Sequence, residues 1–184
     1  MRSIRILVSC LAVLALPLSA AELPGKVVSA SWLNTHRSEV VVLDVRSDLD
    51  AFTTAPGFGI DPKTGASVLQ TLGGHIPGAR LVDFEKTRVS RMVEGRKIDK
   101  MLPDGAEIEA LLRALGVNHG DALVITAQSE TFDEFDMAAR FYWTLKAYGQ
   151  RDMALLDGGN AAWQSAGYEM AVGATPQLAP ATMP

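Results

Sequence analysis

Val40-Val41-Val42-Leu43-Asp44-Val45 is the segment that most narrows what this chain can become: five apolar residues in six positions, four of them valine. β-Branched side chains favour the extended backbone, and a run without polar alternation belongs to a strand covered on both faces. Helices must therefore lie on either side of it. Ser29 is a suitable N-cap for a short helix through about His36. Asp104 followed by Glu107 makes a capping-box start, Ile108, Leu111, Leu112 and Leu115 repeat at helical spacing, and Gly116 supplies the stop. A strand at Ala122 to Thr126, a helix from about Glu134 to Tyr148, a strand at Met153 to Leu156 and a helix from Asn160 to Ala166 complete the series. Strands alternating with helices predict an α/β fold: a central parallel sheet with helices on both faces.

Two long connections interrupt this order. Thr53 to Gly73 carries Pro56, Gly57, Gly59 and Asp61-Pro62-Lys63-Thr64-Gly65, the composition of an elaborated surface loop. Lys86 to Lys100 holds six basic residues, Lys86, Arg88, Arg91, Arg96, Lys97 and Lys100, against Glu94 and Asp99. Such a run is expected to be a solvated loop, with an anion or partner site as the alternative. Residues 171–184 are rich in Ala and Pro, lack periodicity and read as a tail or truncated linker.

Residues 1–21 have the pattern of a secretory signal: Arg2 and Arg5 ahead of an apolar run from Ile6 to Leu16, then Pro17 to Ala21 as a small-residue cleavage zone. The apolar run is too short for a comfortable membrane span, so export to the periplasm or medium without stable membrane insertion is expected. Cys10, the single cysteine, lies inside this segment. Leu7-Val8-Ser9-Cys10 resembles a lipoprotein site, but almost no apolar run precedes it. Losing Arg2 and Arg5 takes the formal charge from −4 to −6, which gives no electrostatic basis for binding nucleic acid. The remainder suits one globular domain, placed at residues 22–170.

Leu43-Asp44-Val45-Arg46, Gly74-His75-Ile76-Pro77-Gly78-Ala79 and Leu156-Asp157-Gly158-Gly159 with Trp163 and Gly167 follow one another as in rhodanese domains. The resemblance extends from Val27 to Tyr168. Met101-Leu102-Pro103 and Met137-Ala138-Ala139-Arg140-Phe141-Tyr142-Trp143 through Tyr148-Gly149 are more specifically similar to the N-terminal domain of tandem thiosulfate or 3-mercaptopyruvate sulfurtransferases. That resemblance implies a domain that is usually non-catalytic, beside a second domain that carries the cysteine. It also implies that the nucleophile's place is immediately after the strand Ala122 to Thr126, and Ala127 stands there.

A methyl group holds no persulfide, so covalent sulfur transfer has no station on this chain. The loop Ala127, Gln128, Ser129, Glu130 and Thr131 is then a vestigial binding loop, to which a small anionic ligand remains conceivable. Glu130, Asp133, Glu134 and Asp136 bring four carboxylates and no base, and carboxylates within a Debye length of about 8 Å repel a dianion such as thiosulfate. Glu134 and Asp136 also suit a helix N-terminus. Ser129 and Thr131 lack an adjacent His or Lys to activate a hydroxyl. Glu130, Asp133 and Asp136 lack the spacing of a known calcium loop, and neither metal nor cofactor is expected. His75 is expected to be structural, Asp44 and Arg46 to form a local ion pair, and Trp163 to be buried. The expected function is a catalytically degenerate, exported binding or structural module, or the N-terminal half of a tandem sulfurtransferase, partnered by a catalytic rhodanese domain or another exported protein. The alternative is a thiosulfate or 3-mercaptopyruvate sulfurtransferase active only with a cysteine-bearing second domain or partner.

Overall fold

Apolar side chains alternate between two covers along the central strands, and this alternation organises the molecule. The computed structural model describes residues 22–175 and residue 181; the signal-like segment 1–21 lies outside the described residues. A short strand β1 (Val27–Val28) leads through the Ser29-capped helix α1 (Ala30–His36) into β2 (Val41–Arg46), all six residues of which are buried. After the single turn α2 (Asp50–Thr53) come a hairpin of β3 (Gly57–Ile60) and β4 (Ser67–Thr71), then β5 (Arg80–Asp83). A second hairpin, β6 (Val89–Val93) and β7 (Arg96–Met101), precedes helix α3 (Gly105–Ala114). Strand β8 (Leu123–Thr126), helix α4 (Phe132–Ala147), strand β9 (Met153–Leu156) and helix α5 (Gly159–Ser165) follow.

The sheet has the order β1-β9-β8-β2-β5, and every pairing in it is parallel. Val41, Leu43, Val45, Leu123 and Ile125 pack with Ile108 of α3 and with Ala138, Phe141 and Leu145 of α4. Val42, Val124, Ala154 and Leu156 face the other way, onto Leu33 of α1, Phe52 of α2 and Trp163 of α5. Helices thus cover both faces, as the valine run requires. Among the described residues no helix is long and apolar enough to cross a membrane.

Three expectations need correction. The segment 53–73 contains the β3–β4 hairpin, closed where the Asp61 carboxylate accepts from the Lys63 and Thr64 amides at 2.7 and 3.2 Å. The segment 86–100 is a hairpin as well, because Glu94 and Gly95 both take positive φ, 49° and 77°, the geometry that matches strand twist in a two-residue turn. Its basic excess is largely paired: Lys86 with Asp83, Arg88 with Glu85, Arg91 with Glu107 and Asp104, and Lys97 with Asp99. The tail does not leave the domain at residue 171, since Ala171 exchanges backbone hydrogen bonds of 2.8 and 2.9 Å with His75. Buried backbone groups such as those of His75 need partners, and this segment supplies them regardless of its composition.

Candidate functional site

Strand β2 continues toward β5 on one side of the sheet, whereas β8 continues toward β9 on the other. The carboxyl ends of β2 and β8 therefore flank a topological switch point, where ligands gather in open α/β sheets. Asp44 and Arg46 come to this point on β2, and Ala127 through Thr131 leave it from β8.

Alternation along β2 puts Asp44 and Arg46 on the α1/α5 side, where both are buried. The guanidinium donates from Nε and Nη2 to the two carboxylate oxygens of Asp44 at 2.8 and 2.7 Å, and from Nη2 to the Gly74 carbonyl at 2.7 Å. Asn160, in the first turn of α5, donates from Nδ2 to Asp44 Oδ2 at 2.8 Å, and its Oδ1 accepts from the Thr126 hydroxyl at 3.0 Å. The expected local ion pair is thus the centre of a network that joins β2, β8, α5 and the Gly74 turn. Within this network Arg46 Nη1 has no hydrogen-bond partner among the described residues.

His75 is equally committed to structure. Its Nδ1–H donates to the Phe52 carbonyl at 2.9 Å, and its ring stacks on Phe52 with centroids 3.8 Å apart and planes 1° from parallel. His36 donates from Nδ1 to the Trp32 carbonyl one turn earlier at 2.9 Å. Among the described residues no three His, Cys, Asp or Glu side chains are grouped to hold a metal ion, so Glu130, Asp133 and Asp136 do not converge.

The loop after β8 is filled from within. Ala127 is 1% exposed and its methyl belongs to the apolar core under α4. Gln128, 8% exposed, spans the switch point and donates from Nε2 to the Leu72 carbonyl at 3.1 Å. The Ala127 and Gln128 carbonyls accept from the Asn160 and Ala161 amides at the start of α5, at 2.9 and 3.1 Å. Ser129 takes the left-handed conformation, φ 61°, which turns the chain back toward α4.

Two amides that could face an outside anion are already used. Glu130 N–H and Thr131 N–H both donate to Glu134 Oε2, at 2.8 and 3.1 Å, while the Thr131 hydroxyl accepts from Glu134 N–H at 3.3 Å. This is a capping box, and it starts α4 at Phe132, two residues before the expected boundary. The Thr-x-x-Glu spacing was the signal for it. Asn160 is the other position at the switch point that sequence reasoning passed over; nothing local distinguishes its amide from that of any surface asparagine at a helix start.

Close packing of the loop on α5 explains Gly159. Its φ is 57°, and a Cβ there would stand 2.2 Å from Ser129 Oγ and 2.6 Å from the Ala127 carbonyl oxygen. Gly159→Ala is expected to cost about 1–3 kcal/mol, as a strained backbone with a clash against main chain. Equilibrium denaturation checks this, and an unchanged midpoint would mean that the loop yields freely.

The rhodanese-like domain family model matches residues 29–166. The chain is 33% identical over 169 residues to "Putative thiosulfate sulfurtransferase SseB" of Mycobacterium tuberculosis, covering 90% of this chain and 50% of that one. It is 30% identical over 140 residues to the 3-mercaptopyruvate sulfurtransferase of Escherichia coli strain K12, covering 74% and 43%. The crystal structure of SseA from Escherichia coli, a rhodanese-fold 3-mercaptopyruvate sulfotransferase, superposes with a TM-score of 0.59 at 26% identity, over 85% of this chain and 53% of that one. The chain thus spans about half the length of the curated relatives it matches. Three-quarters of the sequence under one family model, together with the parallel sheet, place the chain in the rhodanese-like domain family.

Proposed function

We propose that this chain is an exported rhodanese-like domain without sulfur-transfer chemistry of its own, a binding or structural module that works beside a cysteine-bearing rhodanese domain. The observation that carries the reading is the loop after β8. Alanine at the nucleophile's place offers no thiolate, and Glu134 presents an internal carboxylate to the Glu130 and Thr131 amides. An anionic sulfur donor would have to displace that carboxylate and approach the exposed Glu130, Asp133 and Asp136. Export is proposed from the pattern of residues 1–21.

Thiosulfate and 3-mercaptopyruvate enter the argument through the names of relatives about twice as long as this chain. They support a second reading, in which the chain is part of a working sulfurtransferase whose cysteine lies in another domain. In either case this domain supplies surface rather than nucleophile.

The test is thiocyanate formation from thiosulfate and cyanide. The chain lacking residues 1–21 is expected to be silent. Ala127→Cys alone is also expected to remain near background, because the Glu130 and Thr131 amides stay on Glu134. Ala127→Cys with Glu134→Ala, which frees both amides, is expected to give the first measurable turnover. Activity in the unmodified chain would end the degenerate reading.

A further inference from the structure

Helix α4 is apolar on two sides. Ala138, Phe141 and Leu145 are buried against the sheet, while Phe132, Phe135, Ala139 and Trp143 recur at intervals of three, four and four on the other side. At 3.6 residues per turn these four positions fall within a stripe about 80° wide and about 16 Å long. Phe132 is 82% exposed, Phe135 38% and Trp143 54%, and the two phenylalanine rings lie 6.5 Å apart. The outward side of a helix on a sheet is ordinarily polar, and an exposed apolar stripe carrying three aromatic residues there marks a surface that something else covers.

Charge identifies what covers it. Glu130, Asp133 and Asp136 are exposed around the Phe132–Phe135 end, and no lysine or arginine occurs between residues 127 and 139. None of the three carboxylates enters an ion pair among the described residues. A second copy packed with its α4 parallel, about a two-fold axis running along the helix, would set these acids against their own equivalents. We infer that the Phe132–Trp143 stripe is a docking surface for a protein partner whose contact face has an apolar centre and a rim of lysine or arginine. This rests on the docking-module reading, and it names the surface and the partner's charge. Aromatic anchors would supply affinity and the carboxylates register and on-rate.

Two synthetic helical peptides test it, one amphipathic with Leu and Lys, the other its Leu and Glu counterpart, with binding read by fluorescence anisotropy. The Leu/Lys peptide is expected to bind saturably and to weaken as salt rises, and the Leu/Glu peptide is not. Phe132→Ser with Trp143→Ser is expected to weaken binding at least about tenfold, as loss of aromatic anchors does. A second variant, Glu130→Gln, Asp133→Asn and Asp136→Asn, keeps the stripe and is expected to lose affinity and salt dependence together. Unfolding midpoints establish that both variants fold.

Absence of saturable binding, or affinity unchanged by both variants, overturns the assignment. A dimer dissolved by Phe132→Ser with Trp143→Ser would overturn it too, giving the stripe to a second copy. Peptide binding that both variants leave intact rejects this surface while the docking-module reading stands. Turnover by the unmodified chain in the thiocyanate assay rejects that reading whatever the peptides do.

Discussion

Asp44→Ala is expected to destabilise the domain by about 3–5 kcal/mol, the usual cost of stranding one member of a buried ion pair. The Asp44 carboxylate accepts two bonds from Arg46 and one from Asn160, and all three residues are buried. Removing it leaves a guanidinium held by the Gly74 carbonyl and the Phe52 ring, whose centroid lies 5.3 Å away, with no other ion-pair partner among the described residues. It also frees the Asn160 amide, so the loss extends from β2 to α5. Denaturant unfolding of the variant and of the double change Asp44→Leu with Arg46→Met measures it. The double change is expected to cost less than Asp44→Ala, because it removes the stranded charge as well. A single-variant loss below about 1 kcal/mol would mean that water reaches Arg46 and that the network is not sealed.

Trp163→Ala is expected to cost a comparable about 3–5 kcal/mol, for a different reason: a large fully buried side chain is deleted from a packed core. Trp163 is completely buried among the side chains of the α1/α5 face. Its indole N–H donates to the Glu169 carbonyl at 2.9 Å, and its ring meets Tyr168 with centroids 4.8 Å apart at 49°. Those two contacts hold the chain as it leaves α5 for Met170 and Ala171, which in turn pairs with His75. Trp163→Phe retains most of the volume and loses the hydrogen bond, so it is expected to cost about 1–3 kcal/mol. If Trp163→Ala leaves the denaturation midpoint unchanged, the α5 side of the core does not contribute as its burial indicates.

Hairpins were the part of the fold that local reading passed over. Phe58, Ile60, Val68 and Leu69 in the first and Met92, Val93 and Ile98 in the second are exposed, so neither hairpin buries the apolar face by which a half-buried strand is recognised. Their turns carry the information instead, Asp61 through Gly65 in one and Glu94-Gly95 in the other. Strand β5 was missed for a related reason. It is short, at the sheet edge, and opens with Arg80, whose guanidinium donates to the Leu115 carbonyl at 2.8 Å. Burial lowers the pKa of that group, and the charge of Asp121 works against the shift.

What the sequence alone determined is what depends on neighbours along the chain. The valine run specified a strand covered on both faces, and Asp104 with Glu107 and Ser29 specified two helix starts. Thr131 with Glu134 belongs to the same class, since capping boxes close within four residues. Tertiary structure decided the rest, because the contacts join positions far apart: Asn160 meets Asp44 across 116 residues, Gln128 reaches Leu72 across 56, and Ala171 pairs with His75. Folding determines whether a polar residue meets water or a partner, since desolvation and hydrogen bonding are set by the packed surroundings. The same physics turned the loop amides of the switch point inward onto Glu134 while leaving the aromatic stripe beside them facing out.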